Sequence, residues 1–296
     1  MKTGFTACAL ACALFASQAF AQTDDDAKLR AFLDSLHYQT GEVALPDANA
    51  HLKVQSGFRF LGHDDARRVL EDFWGNPPDD EVLGMLVPDA APLDSEHSWA
   101  VVVTYSDDGY VSDEDANKID YSDLLKQMQE ETRDSNDARK KEGYPTLELI
   151  GWAQPPRYDA ASKRLHWAKE IAFEGGDQHT LNYDIRVLGR SGYLSLEAVA
   201  GMGDLALVNE GMTQVLPMAE FDAGQRYADY KPGTDKLAAY GLAALVGGGV
   251  AAKTGLLAKL GVLLLAMKKF VVIFVIAIGA FLKKIFGKKD GGGTVK

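Results

Sequence analysis

The chain has 296 residues, with 31 basic against 42 acidic side chains and only two cysteines. Both cysteines, Cys8 and Cys12, lie in the first twelve residues, so the remainder excludes disulfides, thiol nucleophiles and thiolate metal sites. Residues 237–296 hold nine Lys against Asp290, which leaves residues 22–236 with a net charge of −20 and excludes nucleic acid as an expected partner.

The chain opens with Lys2, a mostly apolar run from Phe5 to Phe15 with an Ala-rich continuation to Phe20, and small residues at Ala19 and Ala21. That three-part pattern predicts a secretory signal, residues 1–21, cleaved between Ala21 and Gln22. Cys12 has Ala9 three residues before it and little apolar chain upstream, which argues against lipidation. Asp24, Asp25 and Asp26 then precede a short helix with Leu29, Phe32, Leu33 and Leu36 on one face. Residues 42–61 read as extended, with turns at Pro46-Asp47 and Ser56-Gly57. From His63 to Trp74, Ala66, Val69, Leu70, Phe73 and Trp74 keep helical spacing, and Gly75 and Pro77-Pro78 end the helix.

A strand follows over 82–87, then the turn-rich stretch Pro88 to Ser98, where the exported region is either continuous or divided into lobes 22–95 and 96–236. Trp99, Val101, Val103 and Tyr105 alternate as a strand. Asp120 is placed to cap a helix over 121–141, which ends in Arg139-Lys140-Lys141 before Gly143 and Pro145. Strands are expected over 146–152, 163–173, 181–189 and 192–199. In the third, Leu181, Tyr183, Ile185 and Val187 face one way, and Asn182, Asp184 and Arg186 the other. A last helix runs from Asp204 to Leu216 and stops at Pro217. Adjacent strands bracketed by helices predict an α+β domain with an antiparallel sheet over 22–236.

From Leu237 to Phe286 the chain is nearly all apolar, broken by Lys253, Lys259, Lys268 and Lys269 and, near its end, by Lys283 and Lys284. Val262 to Leu282 gives 21 residues, enough to cross about 30 Å of hydrocarbon. Lys283, Lys284, Lys288 and Lys289 follow, so the basic, Gly-rich tail 287–296 is expected on the cytoplasmic side of a cell membrane and the acidic domain outside. Ala239, Ala243, Gly247, Ala251 and Gly255 recur every four residues, the spacing of a close-packing helix face. The expected partners are therefore the lipid bilayer and, through that face, a second copy or another membrane protein.

Motifs for chemistry fail on inspection. A calcium loop starting at Asp113 has Lys118 at its glycine position and Leu124 at its glutamate position. Gly247 to Thr254 resembles a phosphate loop but has Ala252 for the second glycine and no preceding strand. Gly189-Arg190-Ser191-Gly192-Tyr193 reads as a hairpin turn rather than a nucleophile elbow. The six His are scattered without ligand spacing. No catalytic residue, metal or cofactor is expected. One constellation is kept as a candidate ligand- or partner-binding surface: Trp152, Tyr158 and Trp167 around a hairpin, with Asn182, Asp184 and Arg186 on the next strand. Its competing reading is core packing, with Asp184 as the local counterion of a buried Arg186.

The runs LNYDIRVLGRSGYLSLEAVA, GWAQPPRYD and YADYKPGTDKLAAYGLAALVGGGVAAKTGLLAKL resemble the bacterial family known as the domain of unknown function numbered 2167, over most of residues 25–286. The resemblance implies membrane anchoring and a shared exported domain, and brings no activity or catalytic residue with it. The expected function is thus a membrane-anchored envelope protein acting as a non-enzymatic ligand- or partner-binding or scaffold subunit. The alternatives are an envelope hydrolase with an unfamiliar site on the sheet, and a membrane-active or pore-associated protein. A buried Arg186–Asp184 pair without a cleft would count against the hydrolase.

Overall fold

The computed structural model describes residues 27–76, 78–95, 97–141 and 145–247. The expected signal peptide with its Ala21/Gln22 cleavage site, the 262–282 span, Ala251, Gly255 and the basic tail lie outside the described residues. The chain divides into two units between Tyr38 and Gln39. In the first, residues 27–34 form helix α1, and Ser35 closes it by donating from its hydroxyl to the Phe32 carbonyl at 2.7 Å.

The strands are β1 (Tyr38–Gln39), β2 (Gly41–Leu45), β3 (Ala50–Val54), β4 (Phe58–Gly62), β5 (Val82–Pro88), β6 (Val101–Ser106), β7 (Tyr110–Ser112), β8 (Leu147–Asp159), β9 (Arg164–Phe173), β10 (Thr180–Leu188), β11 (Tyr193–Gly201), β12 (Ala219–Phe221) and β13 (Leu237–Gly241). The helices of the second unit are α2 (His63–Arg68), α3 (Tyr121–Lys141), α4 (Leu205–Val215) and α5 (Leu242–Gly247). In the second unit the large sheet runs β4-β5-β6-β11-β10-β9-β8, with each neighbouring pair antiparallel. A small sheet has the order β12-β3-β2, and β13 pairs parallel with β7. The expected α+β architecture with an antiparallel sheet is what forms. The sheet passes through the turn-rich stretch without a break, because β5 pairs with β6.

The first face of the large sheet carries Leu181, Tyr183, Ile185, Leu194, Leu196 and Val103, packed under the small sheet and α4. Helix α4 presents Val208, Met212 and Val215 at helical spacing, each fully buried and each worth about 1.5–3 kcal/mol of removed apolar surface. Its Gly211 lets Trp99 lie directly against the helix. The helix expected over 63–74 begins as α2 and changes after Arg68 to a π-helical turn over Val69–Phe73. The Trp74 amide there reaches back to the Val69 carbonyl at 2.9 Å, and Gly75 follows at φ +69°.

Helix α3 seals the outer edge of β8. Its cap is the expected one: Asp120 Oδ1 accepts from the amides of Ser122 at 2.9 Å and Asp123 at 3.1 Å. Along its length Asn136 bonds both the amide and the carbonyl of Leu147, and Gln129 donates to the carbonyls of Leu149 and Ile150. These side chains supply the partners a further strand would otherwise supply. Pro155 and Pro156 fall within an irregularity of the β8 register, a position where the missing amides cost no ladder bond.

One expectation is corrected. The row of small residues was expected to form one helical face from Ala239, but Leu237–Gly241 is strand β13 and α5 starts only at Leu242. Pairing with β7 holds 237–241 extended, and Asp115 accepts from the amides of Leu242 and Ala243 at 3.3 and 3.5 Å, which starts the helix there. Ala239 is therefore on a strand. Gly247 is spent on packing inside the domain, since a Cβ there would lie 2.7 Å from Leu124 Cδ1. The fold thus continues through residue 247, past the expected boundary at 236. Among the described residues no helix is long and apolar enough to cross a membrane.

At the 189–192 hairpin, a Cβ on Gly192 would fall 1.8 Å from the Ser106 carbonyl oxygen on the neighbouring strand. Gly192→Ala is expected to lower unfolding free energy by about 3 kcal/mol, because backbone on both sides has to move. A denaturant titration showing less than about 0.5 kcal/mol of change would contradict this close approach.

Candidate functional site

The second face of the large sheet carries a charged strip. Three neighbouring strands put Trp167, Asp184 and Glu197 directly opposite one another, with Lys169 opposite Asn182 and Ser195 opposite Arg186. Arg186 Nη2 donates to Glu197 Oε1 at 2.7 Å and to Asp184 Oδ1 at 3.2 Å. Lys169 Nζ stands 3.3 Å from Asp184 Oδ2, an ion-pair distance without hydrogen-bond alignment. Ser195 Oγ donates to Glu197 Oε1 at 3.0 Å. The Arg186 guanidinium also lies 5.1 Å from the Trp167 ring centre and 5.9 Å from that of Tyr193, within cation–π range.

Two cations thus meet two carboxylates under an aromatic roof. Burial pushes Asp184 above the usual carboxylate range, and Lys169 and Arg186 recover only part of that cost. Burial is the largest single influence on Glu197 as well, but Arg186, Lys169 and Ser195 together outweigh it and hold that carboxyl below its usual range. The Asp184 side chain is 1% exposed and that of Arg186 11%, whereas Glu197 retains 24% and is the most reachable member.

The sequence-predicted residues separate into two groups. Trp167, Asn182, Asp184 and Arg186 share the strip, Asn182 being buried with no protein partner on its Oδ1. Trp152 packs against the apolar cluster that includes Trp167 but donates its indole N–H to the Tyr121 carbonyl at 3.2 Å. Tyr158 packs against the same cluster, with its hydroxyl engaged outside the strip. Its hydroxyl donates to Asp113 Oδ2 at 2.7 Å, an oxygen that also receives Lys163 Nζ at 2.7 Å, while the Tyr227 hydroxyl lies 3.0 Å from Asp113 Oδ1. The Tyr227 ring packs on Tyr110 at 4.3 Å, and Tyr110 stacks on Tyr230 at 3.8 Å. Burial raises Asp113, and the bonds from Lys163, Tyr158 and Tyr227 more than reverse that, leaving it below the ordinary range.

Glu197, Lys169, Ser195, Asp113 and Lys163 were missed from the sequence. The signal for the first three was present: Leu165-Trp167-Lys169 and Tyr193-Ser195-Glu197 keep the same two-residue period as Asn182-Asp184-Arg186. Four carboxylates between residues 107 and 120 are occupied within the fold. Asp108 accepts from the Tyr240 hydroxyl, Asp113 from Tyr158 and Lys163, Asp115 from the start of α5 and Asp120 from the start of α3. Among the described residues no group of three or more His, Asp or Glu side chains could hold a metal ion.

Chemically, the strip is a closed set of charges. Arg186 is buried against Asp184, and a separate recess lies beside β2. Each charged member thus has an oppositely charged neighbour inside the strip, while Asp184 Oδ2 is buried and accepts no hydrogen bond. Arg186→Met is expected to destabilise the domain by roughly 3–5 kcal/mol, because Asp184 then stays buried, and Glu197 half-buried, without their shared cation. Adding Glu197→Gln should recover part of that loss, which a double-mutant cycle reads directly.

The pH dependence has a defined sign. Asp113 lies below its unfolded-state value, and Asp235, bonded first by Arg190, is held down at about 2. Both contribute stability above the unfolded carboxylate pKa of about 4, and that stability is lost as pH falls through the lower folded values. Acid unfolding should therefore steepen below about pH 4, and Asp113→Asn should flatten that limb. An unchanged acid limb in the variant would remove Asp113 from the account.

Among solved structures, the chain is similar to cyanobacterial PsbP from Synechocystis sp. PCC 6803, at 14% identity, covering 64% of this chain and 93% of that one with a TM-score of 0.34. It is also similar to the Saccharomyces cerevisiae Ran-binding protein Mog1p, at 10% identity, 63% and 96% coverage and a TM-score of 0.34. A third similarity is to LpqN, involved in cell envelope biogenesis of Mycobacterium tuberculosis, at 12% identity, 62% and 90% coverage and a TM-score of 0.30. At these scores the likenesses assign no function. No curated protein matches the sequence. The family described as "Protein of unknown function (DUF2167)" matches residues 37–279, and the chain belongs to that family.

Proposed function

We propose that this is an exported, membrane-anchored cell-envelope protein whose folded domain is a non-enzymatic partner-binding or scaffold module. The observation that carries this reading is the seating of α5. Leu242, Leu245 and Val246 open the apolar C-terminal region, and they are buried in one cluster with Val111, Leu165 and Trp167. The last described residues are thus a helical turn built into the core and capped by Asp115. A module that presents a surface at a fixed attitude to a bilayer needs such a stem. The paired charges of the strip support the non-enzymatic part of the reading.

The lipid bilayer is the first partner, and the small residues beyond the domain, Ala251 and Gly255, supply a face for a second copy or another membrane protein. Orientation is testable because residues 22–296 contain no cysteine. Ser56→Cys, in an exposed turn, should react with a membrane-impermeant maleimide once the outer face of the cell membrane is accessible. Thr294→Cys in the tail should react only after the membrane is opened. Reaction of both, or of neither, before opening would overturn the orientation. For assembly, Ala251→Leu is the informative change, since Gly247 is already engaged with Leu124. Cross-linked complexes recovered from cells should be lost in that variant, and their persistence would count against the packing face.

A further inference from the structure

The small sheet leaves one edge open. In β3, the Lys53 amide bonds the Met218 carbonyl at 2.8 Å and the Asn49 carbonyl accepts from Asp222 at 2.9 Å, so residues 49, 51 and 53 direct their backbone groups toward β12. Residues 50, 52 and 54 then face β2, where they meet Leu45, Val43 and Gly41. By the same alternation the amide and carbonyl groups of Glu42 and Ala44 point away from the sheet. Both residues are exposed, and among the described residues no strand pairs on that side of β2. An edge of this kind is a template for an added strand.

A recess of about 220 Å³ lies beside this edge, lined by Val43, Leu45, Phe60 and Leu83 with Asp47 and His63. Its volume suits one or two apolar side chains. Exposed carboxylates stand along the same edge, Glu42 within it and Asp47 just past Pro46. Lys53, opposite Glu42, is drawn away by Glu220 at 2.7 Å. The region 22–236 is itself strongly acidic.

From these features we infer that the β2 edge binds an extended, cationic segment of a partner protein, adding it as a strand through Glu42 and Ala44 with alternate apolar side chains directed to the recess. The inference rests on the reading of the domain as a binding module and names the chemistry of its partner. Backbone bonds supply the register, the recess selects apolar residues at every second position, and Glu42 and Asp47 select basic residues between them. Gly41 at φ +76° and Pro46 limit the edge to five residues, which favours a short segment over an extended sheet.

The test uses the full chain in detergent and a labelled, end-blocked probe peptide, Lys-Val-Lys-Val-Lys-Val-Lys. Anisotropy should show saturable binding, and hydrogen exchange should show the Glu42 and Ala44 amides slowed only when the probe is present. Methylating the probe's backbone amides should abolish binding. The surface double variant Glu42→Lys, Asp47→Lys should weaken binding by about tenfold or more while leaving the thermal unfolding midpoint in place. Equal binding of Glu-Val-Glu-Val-Glu-Val-Glu, indifference to methylation, protection confined to other segments, or no binding would each overturn the proposal. Slowed exchange at Glu42 and Ala44 without probe, rising with protein concentration, would overturn it in favour of a second copy. Failure here together with Ala251-dependent complexes in cells would remove the β2 edge and leave the scaffold reading standing.

Discussion

The pairing of Arg186 with Asp184 and Glu197 is what allows β10 to be covered on both faces. All nine residues of that strand are buried, yet its alternation is apolar on one face and polar on the other. A central strand of this kind is normally apolar throughout. Here the neighbouring strands deliver the countercharges in register, Glu197 from β11 and Lys169 from β9. A slip of one residue would carry Asp184 and Arg186 into the layer occupied by Leu181, Tyr183 and Ile185, at a cost of several kcal/mol for each unpaired ion. The charges therefore discriminate among registers as well as satisfying one another.

The acidic stretch between β6 and α3 does for the second layer what the strip does for the sheet. Four of its carboxylates are each assigned to a different structural duty: two cap helices and two receive tyrosine hydroxyls. Gly109, at φ +112°, leaves room for the backbone of residues 236–238 to pass, where a Cβ would lie 2.8 Å from the Lys236 carbonyl oxygen. Strand β13 and helix α5 are thus held by backbone pairing with β7, by the cap from Asp115 and by Tyr240 on Asp108. Local negative charge density, which in the sequence resembles a cation site, is consumed by amide dipoles and hydroxyl donors contributed from distant positions.

Those distances explain what was legible in the sequence. The long helix at 121–141, the four consecutive strands and the hairpin at 189–192 all rest on local periodicity and on Gly or Asp punctuation, and each appears within one or two residues of its expected limits except β8. That strand runs on to Asp159 because Pro155 and Pro156 are tolerated at an irregular edge, a context local pattern does not encode. The strip was half legible. Alternation in β10 put Asp184 and Arg186 on one face, but Glu197 and Lys169 join them only through pairing with other strands. The hydroxyl partner of Tyr158 was not legible for the same reason, since Asp113 lies 45 residues away, although its ring packs against the cluster that holds Trp167. At the C-terminus, the four-residue period of Ala239, Ala243 and Gly247 suggested one helix, and tertiary pairing of Leu237–Gly241 with β7 overrode it.

The two kinds of sheet edge now acquire different meanings. The β8 edge is closed by α3, whose Asn136 and Gln129 side chains satisfy backbone groups that would otherwise recruit another strand. Among the described residues the β2 edge has no such cover; its shortness, Gly41 and Pro46 at its ends and the negative charge of Glu42 guard it. Charge and shortness deter pairing between copies of an acidic chain, because like charges meet across the new ladder, but neither deters a cationic strand. In the proposed membrane-anchored arrangement, the stem formed by β13 and α5 fixes the domain while this edge stays exposed. Selectivity then follows from electrostatics rather than from burial of the edge: the carboxylates that keep the domain from pairing with itself are the ones that favour a basic partner.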